Sequence, residues 1–325
     1  MNPQTIYRSR YISTYNSVSR HFSQNKRNWK ITMTFKSIFS IIDQLIGSFK
    51  PGVPAPPASP DISFDVALAP TDLDVPQFPE RPDGAMTGSE FANHIMTMGP
   101  FQAREDAICN EILSGNIPDF MRYFLPISVS IGANTIKYLV SPDLLSVGSN
   151  SDYIRVPLNP LTAQKIAATC GCTLPTSKIA RQIWTAAEIK LAPNPNGPPY
   201  DTYMQSVDAF VKSNTKINNA LVGQPLGKLV SGHKKDIVIC KQLLNDPSRV
   251  AIYGWFQLNG VPIQGLNPRD HGKGYKDYSH GVRLVSRHVL INGAPYDLFD
   301  VLNNSSLCSL ISDDSAYDAS TIYSR

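Results

Sequence analysis

No apolar run in this chain reaches the roughly twenty residues that a membrane-spanning helix needs; the nearest, Ile31 to Phe49, is broken by Lys36, Asp43 and Gln44. Phosphate-cradling motifs are missing as well. The one Gly-Lys-Gly stretch, Gly272 to Gly274, has neither the spacing nor the following Ser or Thr of a Walker loop, and no dinucleotide fingerprint occurs. Cysteine is scarce and poorly spaced for metal: Cys109, Cys170, Cys172, Cys240 and Cys308 form one C-x-C pair and no zinc-finger pattern, so buried thiols are the expectation. Strong charge of one sign is confined to the N-terminus. The net charge is +4, yet Arg8, Arg10, Arg20, Lys26, Arg27, Lys30, Lys36 and Lys50 face only Asp43 there. The rest of the chain is close to neutral or slightly acidic, which argues against a nucleic-acid surface on it.

What is present suits an ordinary globular protein: 325 residues, 42% hydrophobic and 17% charged, can bury a core without staples. Three regions are expected. Residues 1–50 form a basic leader in which Phe35, Ile38, Phe39, Ile42, Leu45, Ile46 and Phe49 recur at helical spacing, an amphipathic helix. Two readings of this leader stand: a segment for export, organelle targeting or peripheral membrane contact through residues 33–49, or a chain whose true start is Met33. Residues 51–84, dense in proline, read as an extended linker. Residues 85–325 read as a single globular domain.

Within that domain Thr87-Gly-Ser-Glu90 predicts a capping box and a helix. A second helix is expected from Phe101 to Ser114 with a stop at Gly115, and a short one from Pro118 to Phe124. Ile127 to Ile131 and Thr135 to Val140 alternate around Gly132-Ala-Asn134 and predict a hairpin. Helices are expected at Leu161 to Thr169, Leu174 to Leu191, Tyr203 to Ser213 and near Ile217 to Val222, and strands at Ile237 to Cys240 and Val250 to Trp255. Helices and strands come in blocks without regular alternation. That favours an α+β fold, a small and mostly antiparallel sheet packed with several helices, over a doubly wound sheet.

Polar chemistry concentrates between Arg249 and Val285. The loop through Asp270, His271, Lys273, Tyr275 and Asp277 is followed by Ser279, His280 and Arg283, where the pattern predicts a helix start. A helix tip offers free amides and a positive dipole end to a developing oxyanion. Ser279 there would be a nucleophile, with His271 or His233 as base and His280 and Asp277 close by. Lys234, Arg283 and Gln264 would orient a substrate, and Tyr253, Trp255, Tyr275 and Tyr278 suit a sugar-stacking cleft as well as a core. Strand alternation would send Tyr253 and Trp255 to one face. The blander expectation is that Asp277 or Ser279 caps a helix while the histidines tie down loops.

Several motifs run together through the chain: Gly115-Asn-Ile-Pro-Asp-Phe-Met-Arg122, Pro160 to Ala167, Leu174 to Lys178, Gly232 to Asp236, Tyr253 to Trp255, Gly260 to Gln264 and Lys276 to Val285. In these the chain resembles a group of often exported bacterial proteins, over most of residues 86 to 315, and the resemblance implies one co-inherited unit. Locally, Asp277-Tyr278-Ser279-His280 resembles the Asp-Cys-Ser-Gly loop of papain-like hydrolases of the NlpC/P60 type. Tyrosine stands where that family has its cysteine nucleophile, so that nucleophile does not carry over.

Three expectations follow. The first is a hydrolase acting on a cell-wall peptide, amide or glycan bond, with Ser279 or a bound water as nucleophile and no cofactor. The second is a non-catalytic protein that binds a polysaccharide or peptidoglycan-like ligand or another partner, or serves a structural role. The third is a metal-assisted enzyme, in which Asp270, His271, Asp277, His280 and His233 supply zinc or calcium ligands, although no helix-borne ligand pair is present.

Overall fold

In a computed structural model of the protein, residues 73–98 and 101–324 are described. The basic leader, with the amphipathic helix expected in it, and residues 51–72 of the expected linker lie outside the described residues. All described residues fall in one compact unit, and none of their helices is long and apolar enough to cross a membrane.

The expected α+β architecture is what the chain adopts. Helix α1 (Gly88–Met96) opens with Thr87 and Glu90 satisfying each other's free amides, the expected capping box. Helix α2 (Phe101–Leu113) is followed by a 3₁₀ turn, Asp119–Arg122, where a short helix was expected. Strands β1 (Leu125–Ile131) and β2 (Asn134–Val140) form the expected hairpin. Its two-residue turn places Gly132 at φ +60°, the left-handed geometry that matches strand twist. Strands β3 (Ser146–Gly148) and β4 (Tyr153–Arg155) pair next, and helix α3 (Pro160–Thr169) is capped by Asn159.

Helix α4 is shorter than its apolar periodicity predicts. It covers Ser177–Ala186, after β5 (Cys172–Thr173), because the Thr176 hydroxyl accepts from Ile179 N and starts the helix past Pro175. Its expected C-terminal portion leaves as β6 (Ile189–Lys190), which pairs in parallel with β7 (Val230–Ser231). The two helices expected between Tyr203 and Val222 are one, α5 (Val207–Ala220), capped by Ser206.

Strands β8 (Lys235–Val238), β9 (Ala251–Phe256), β10 (Pro262–Gln264) and β11 (His280–Gly281) form a four-stranded sheet in the order β10-β9-β8-β11. In it only β8 and β11 run parallel. Strands β12 (Val285–Ser286), β13 (His288–Ile291) and β14 (Ala294–Asp297) complete a six-stranded antiparallel sheet around β2, and α6 (Leu298–Asn303) follows. The core between these layers is continuous from Phe91 and Ile95 through Tyr138 and Ile183 to Phe210, Phe256 and Val285.

The domain starts earlier than residue 85. Leu73 is buried in the core, and the Arg122 guanidinium donates to the carbonyls of Pro79 and Gly115. Arg81 donates to Asn116 and to the Ala85 carbonyl. Proline prevents these residues from joining a sheet, but their carbonyls still accept from arginine, so residues 73–84 are packed as an extended strap and not left as a linker. The five cysteines are all free and buried.

Candidate functional site

The segment expected to open a helix at Ser279 is extended. Lys235 N donates to Ser279 O at 2.8 Å, and His280 and Gly281 pair in parallel with Lys235 and Asp236 as β11. Gly281 has no room for a side chain, since a Cβ would lie 2.5 Å from Leu144 Cδ1. The backbone is therefore consumed in a sheet, and the helix dipole and free amides foreseen for an oxyanion do not exist here. Its partner strand β8 is entered through the sequence Gly232-His-Lys-Lys-Asp236. Gly232 turns at φ +97°, and a Cβ on it would meet Leu191 O at 2.3 Å, so only glycine lets the strand enter.

Around this strand pair the polar residues gather in two groups. The first is His271, Tyr275, Asp277, Ser279, His280 and Lys235. Asp277 is its anchor: Oδ1 accepts from Ser279 N at 2.7 Å and from the Ser279 hydroxyl at 2.5 Å, and Oδ2 accepts from the Tyr275 hydroxyl at 2.9 Å. Burial works upward on the Asp277 pKa. Neighbouring His280 and Lys235 and the Ser279 hydrogen bonds outweigh it and hold the carboxylate below its ordinary range. Burial pushes His280 down, so its ring is neutral near pH 7. With His280 uncharged, Lys235 and Ser279 supply the pull on Asp277. Lys235 is itself lowered by burial and holds its ammonium 5.3 Å from the Trp255 ring centre.

His280 is fully buried, and neither of its ring nitrogens has a hydrogen-bond partner among the described residues. Tyr275 meets it edge-on at 5.5 Å. His271, half-buried on the outer side of Tyr275, is lowered by burial. The loop carrying both is tied at its base by Val250 N to His271 O and Lys273 N to Ser248 O.

The second group was only partly legible. His233 Nε2 lies 3.0 Å from Asp143 Oδ1, and Arg155 donates through Nε and Nη2 to Asp143 Oδ2 at 3.0 and 2.6 Å. Burial would raise Asp143, but Arg155 and His233 hold it far below the usual carboxylate range. Burial lowers His233 to about 4 against the opposing pull of Asp143. Arg283 donates to the carbonyls of Ser141 and Val230 at 2.8 and 2.6 Å from a fully buried position. Asp236, raised to about 6 by burial, faces Arg283. Asp143 and Arg155 escaped the sequence reading, although an arginine between Ile154 and Val156 in an apolar strand is the mark of a buried, paired charge.

Several expected roles are therefore corrected. Ser279 hydrogen-bonds Asp277 and no histidine, so neither His271 nor His233 is placed to activate it as expected. His233 belongs with Asp143 and Arg155, not with Ser279. Arg283 is engaged with backbone carbonyls and does not reach a substrate. Lys234 is buried, donates to the Tyr278 carbonyl and to Ser213 Oγ, and is lowered to about 7 by burial. Tyr253 and Trp255 do not share a wall, because Gly254 and Trp255 both take positive φ, +106° and +56°, and break the alternation. Tyr253 meets Phe256 at 5.8 Å and Arg181, while Trp255 meets Tyr278 at 6.4 Å. The Tyr278 hydroxyl accepts from Asn196 N, and Gln264 on edge strand β10 donates to Gly265 O. Asp270 accepts from Asn267. Among the described residues no three His, Cys, Asp or Glu side chains gather in a way that could hold a metal ion.

Comparison of the chain with protein-family models, with curated proteins and with solved structures finds no match, so its function rests on the geometry just described.

Proposed function

We propose that the protein is a hydrolase that cleaves a peptide, amide or glycan bond of a cell-wall polymer, with water as the nucleophile and His280 as the general base. One observation carries this reading: a buried, neutral imidazole with both nitrogens unpaired, beside a carboxylate and a lysine. A structural histidine spends at least one nitrogen on a hydrogen bond, because an unmade buried one costs about 1–3 kcal/mol. A base must keep a lone pair free for a proton. Asp277 would stabilise the imidazolium that forms, and Lys235 would face the charge developing on the substrate. Tyr275 and His271 cover the ring from the solvent side, on a loop that contains Gly265, Gly272 and Gly274, so substrate entry requires that cover to move. The choice of a wall polymer rests on the aromatic rings beside the cluster, Trp255 under the Lys235 ammonium and Tyr275 against His280, which suit stacking on a sugar face.

Purified full-length chain assayed on soluble wall fragments tests the reading. His280→Gln and Asp277→Asn are expected to lower kcat by about 10²-fold or more, and Ser279→Ala by less than about ten-fold. Full turnover in His280→Gln sinks the assignment of the base. A second reading, recognition without turnover, is favoured by Leu258, Val261 and Ile263, which are exposed together at the β9–β10 edge near Gln264. Fragments that bind and are recovered intact from the wild-type chain would decide for it.

A further inference from the structure

A cavity of about 210 Å³ opens beside the second polar group, with Asp143, Tyr153 and Asn218 on its polar side and Phe120, Leu221 and Leu226 among its apolar walls. At about 30 Å³ each it has the room of some seven waters. Arg155 lies beneath these polar groups and is completely buried. Its guanidinium donates to Asp143 Oδ2, to Asn214 Oδ1 at 3.0 Å, to Asn218 Oδ1 at 2.8 Å and to the Tyr153 hydroxyl oxygen at 3.4 Å. The other Asp143 oxygen is taken by His233 and by Leu144 N at 2.6 Å.

The consequence is an imbalance of hydrogen-bonding capacity. Arg155, His233 and the Leu144 amide engage the acceptors of the three polar side chains nearest Arg155: both Asp143 carboxylate oxygens, the Asn218 carbonyl and a lone pair of Tyr153, while Ser151 and Gln224 line the cavity farther out. What is left to face a ligand is the donor half of the same side chains, the Asn218 NH2 and the Tyr153 O–H. Burial raises the Tyr153 pKa, so the hydroxyl keeps its proton. The charges cancel locally, Asp143 against Arg155 and Lys228 against Glu188 at 2.7 Å on the rim. A charged ligand therefore gains little here. A neutral acceptor flanked by an apolar group gains both the donors and the wall of Phe120, Leu221 and Leu226.

We infer that this cavity is a binding site for a small neutral amide, whose carbonyl oxygen accepts from Asn218 Nδ2 and Tyr153 Oη and whose methyl or alkyl substituent lies on the apolar wall. The site is independent of the His280 cluster and of any turnover there. Two sources present that chemistry, an acetamido sugar and a peptide unit.

Calorimetric and NMR titration of the full chain with N-acetylglucosamine, N-acetylalanine amide and glucose distinguishes them. At least one amide probe is expected to bind while glucose, lacking the amide, does not. Binding of the sugar alone assigns an acetamido sugar, binding of the peptide probe alone assigns a peptide unit, and binding of both assigns the shared amide. Asn218→Asp keeps an oxygen for Arg155 but replaces the donor, and is expected to weaken binding at least ten-fold, about 1.4 kcal/mol. Tyr153→Phe removes the second donor with little change in packing and is expected to weaken it several-fold. Failure of both amide probes to bind, glucose binding equally well, or undiminished affinity in either variant overturns the inference.

Discussion

The imidazole of His271 lies flat on the phenol ring of Tyr275, centroids 3.8 Å apart and planes 7° from parallel. Tyr275 in turn meets His280 edge-on and donates its hydroxyl to Asp277, so a single tyrosine couples an outer histidine, an inner histidine and a carboxylate. Tyr275→Phe keeps the stack and deletes the hydrogen bond to a charged acceptor. Its expected cost is about 1.5–3 kcal/mol, read from urea unfolding. Hydrogen exchange across residues 266–275 is expected to accelerate. Unchanged exchange would mean that the Asp277 bond does not hold the cover.

His280 supplies a sharper contrast between stability and activity. Replacing it with leucine removes two unpaired buried nitrogens and leaves no partner behind, so His280→Leu is expected to fold with equal or greater stability, by up to about 2 kcal/mol. The same variant is expected to be inactive. A large loss of stability would reveal a structural role for the ring and remove the main support for its role as base.

Acid should unfold the protein early. His233, held near 4 by burial, and His280, also pushed down by burial, stay neutral in the folded chain, while in the unfolded chain they take protons near 6.5. The unfolded state thus holds more protons below about pH 6.5, and stability falls as pH falls through that window, by up to about 1.4 kcal/mol per pH unit for each histidine. Asp236, raised to about 6, acts in the opposite sense over part of the window and offsets one of the two. On the alkaline side Lys234, pushed down to about 7, makes stability rise with pH. Urea midpoints at about pH 4.5, 7 and 9 should increase in that order, and His280→Leu should flatten the acid limb.

The Asp143–Arg155 pair should respond more to breakage than to removal. Asp143→Asn leaves Arg155 buried without its counter-charge and is expected to cost about 3–5 kcal/mol. Arg155→Met with Asp143→Leu replaces both charges by apolar groups and is expected to recover much of that loss. Calorimetric melting of the single and double variants measures the difference.

Gly232→Ala tests the turn that feeds the strand pair. A left-handed backbone and a Cβ placed 2.3 Å from Leu191 O allow no relief by a rotamer change. A loss of more than about 2 kcal/mol in unfolding free energy is expected.

Local signals in the sequence translated well where one interaction decides the outcome. The Thr87–Glu90 capping box, the Gly132 hairpin turn and the Gly115 stop each depend on a few adjacent residues. Failures came where a distant partner decides. Asp277 and Ser279 carry the same residue types as a helix cap, but backbone from Lys235 captures the segment as a strand. Trp255 leaves its expected face because Gly254 and Trp255 itself both take positive φ. Asp143 and Arg155 meet only when β4 and the loop after β2 are brought together, so although the apolar neighbours of Arg155 mark it as a buried charge, nothing local names its partner. The clustering of His271, Tyr275, Asp277 and His280 was legible because all four lie within one short stretch of chain.

Parallel neighbours such as β8 and β11 cannot be joined by a tight turn, and the β9–β10 hairpin together with the whole 265–275 loop intervenes between Lys235 and His280. Closing so long a stretch brings its entropy cost before its contacts are made. The environment of the imidazole is accordingly expected to assemble late during refolding, after the β1–β2 hairpin has formed. A slow reappearance of the native His280 resonance, behind the main fluorescence change of refolding, would be the kinetic trace of that order.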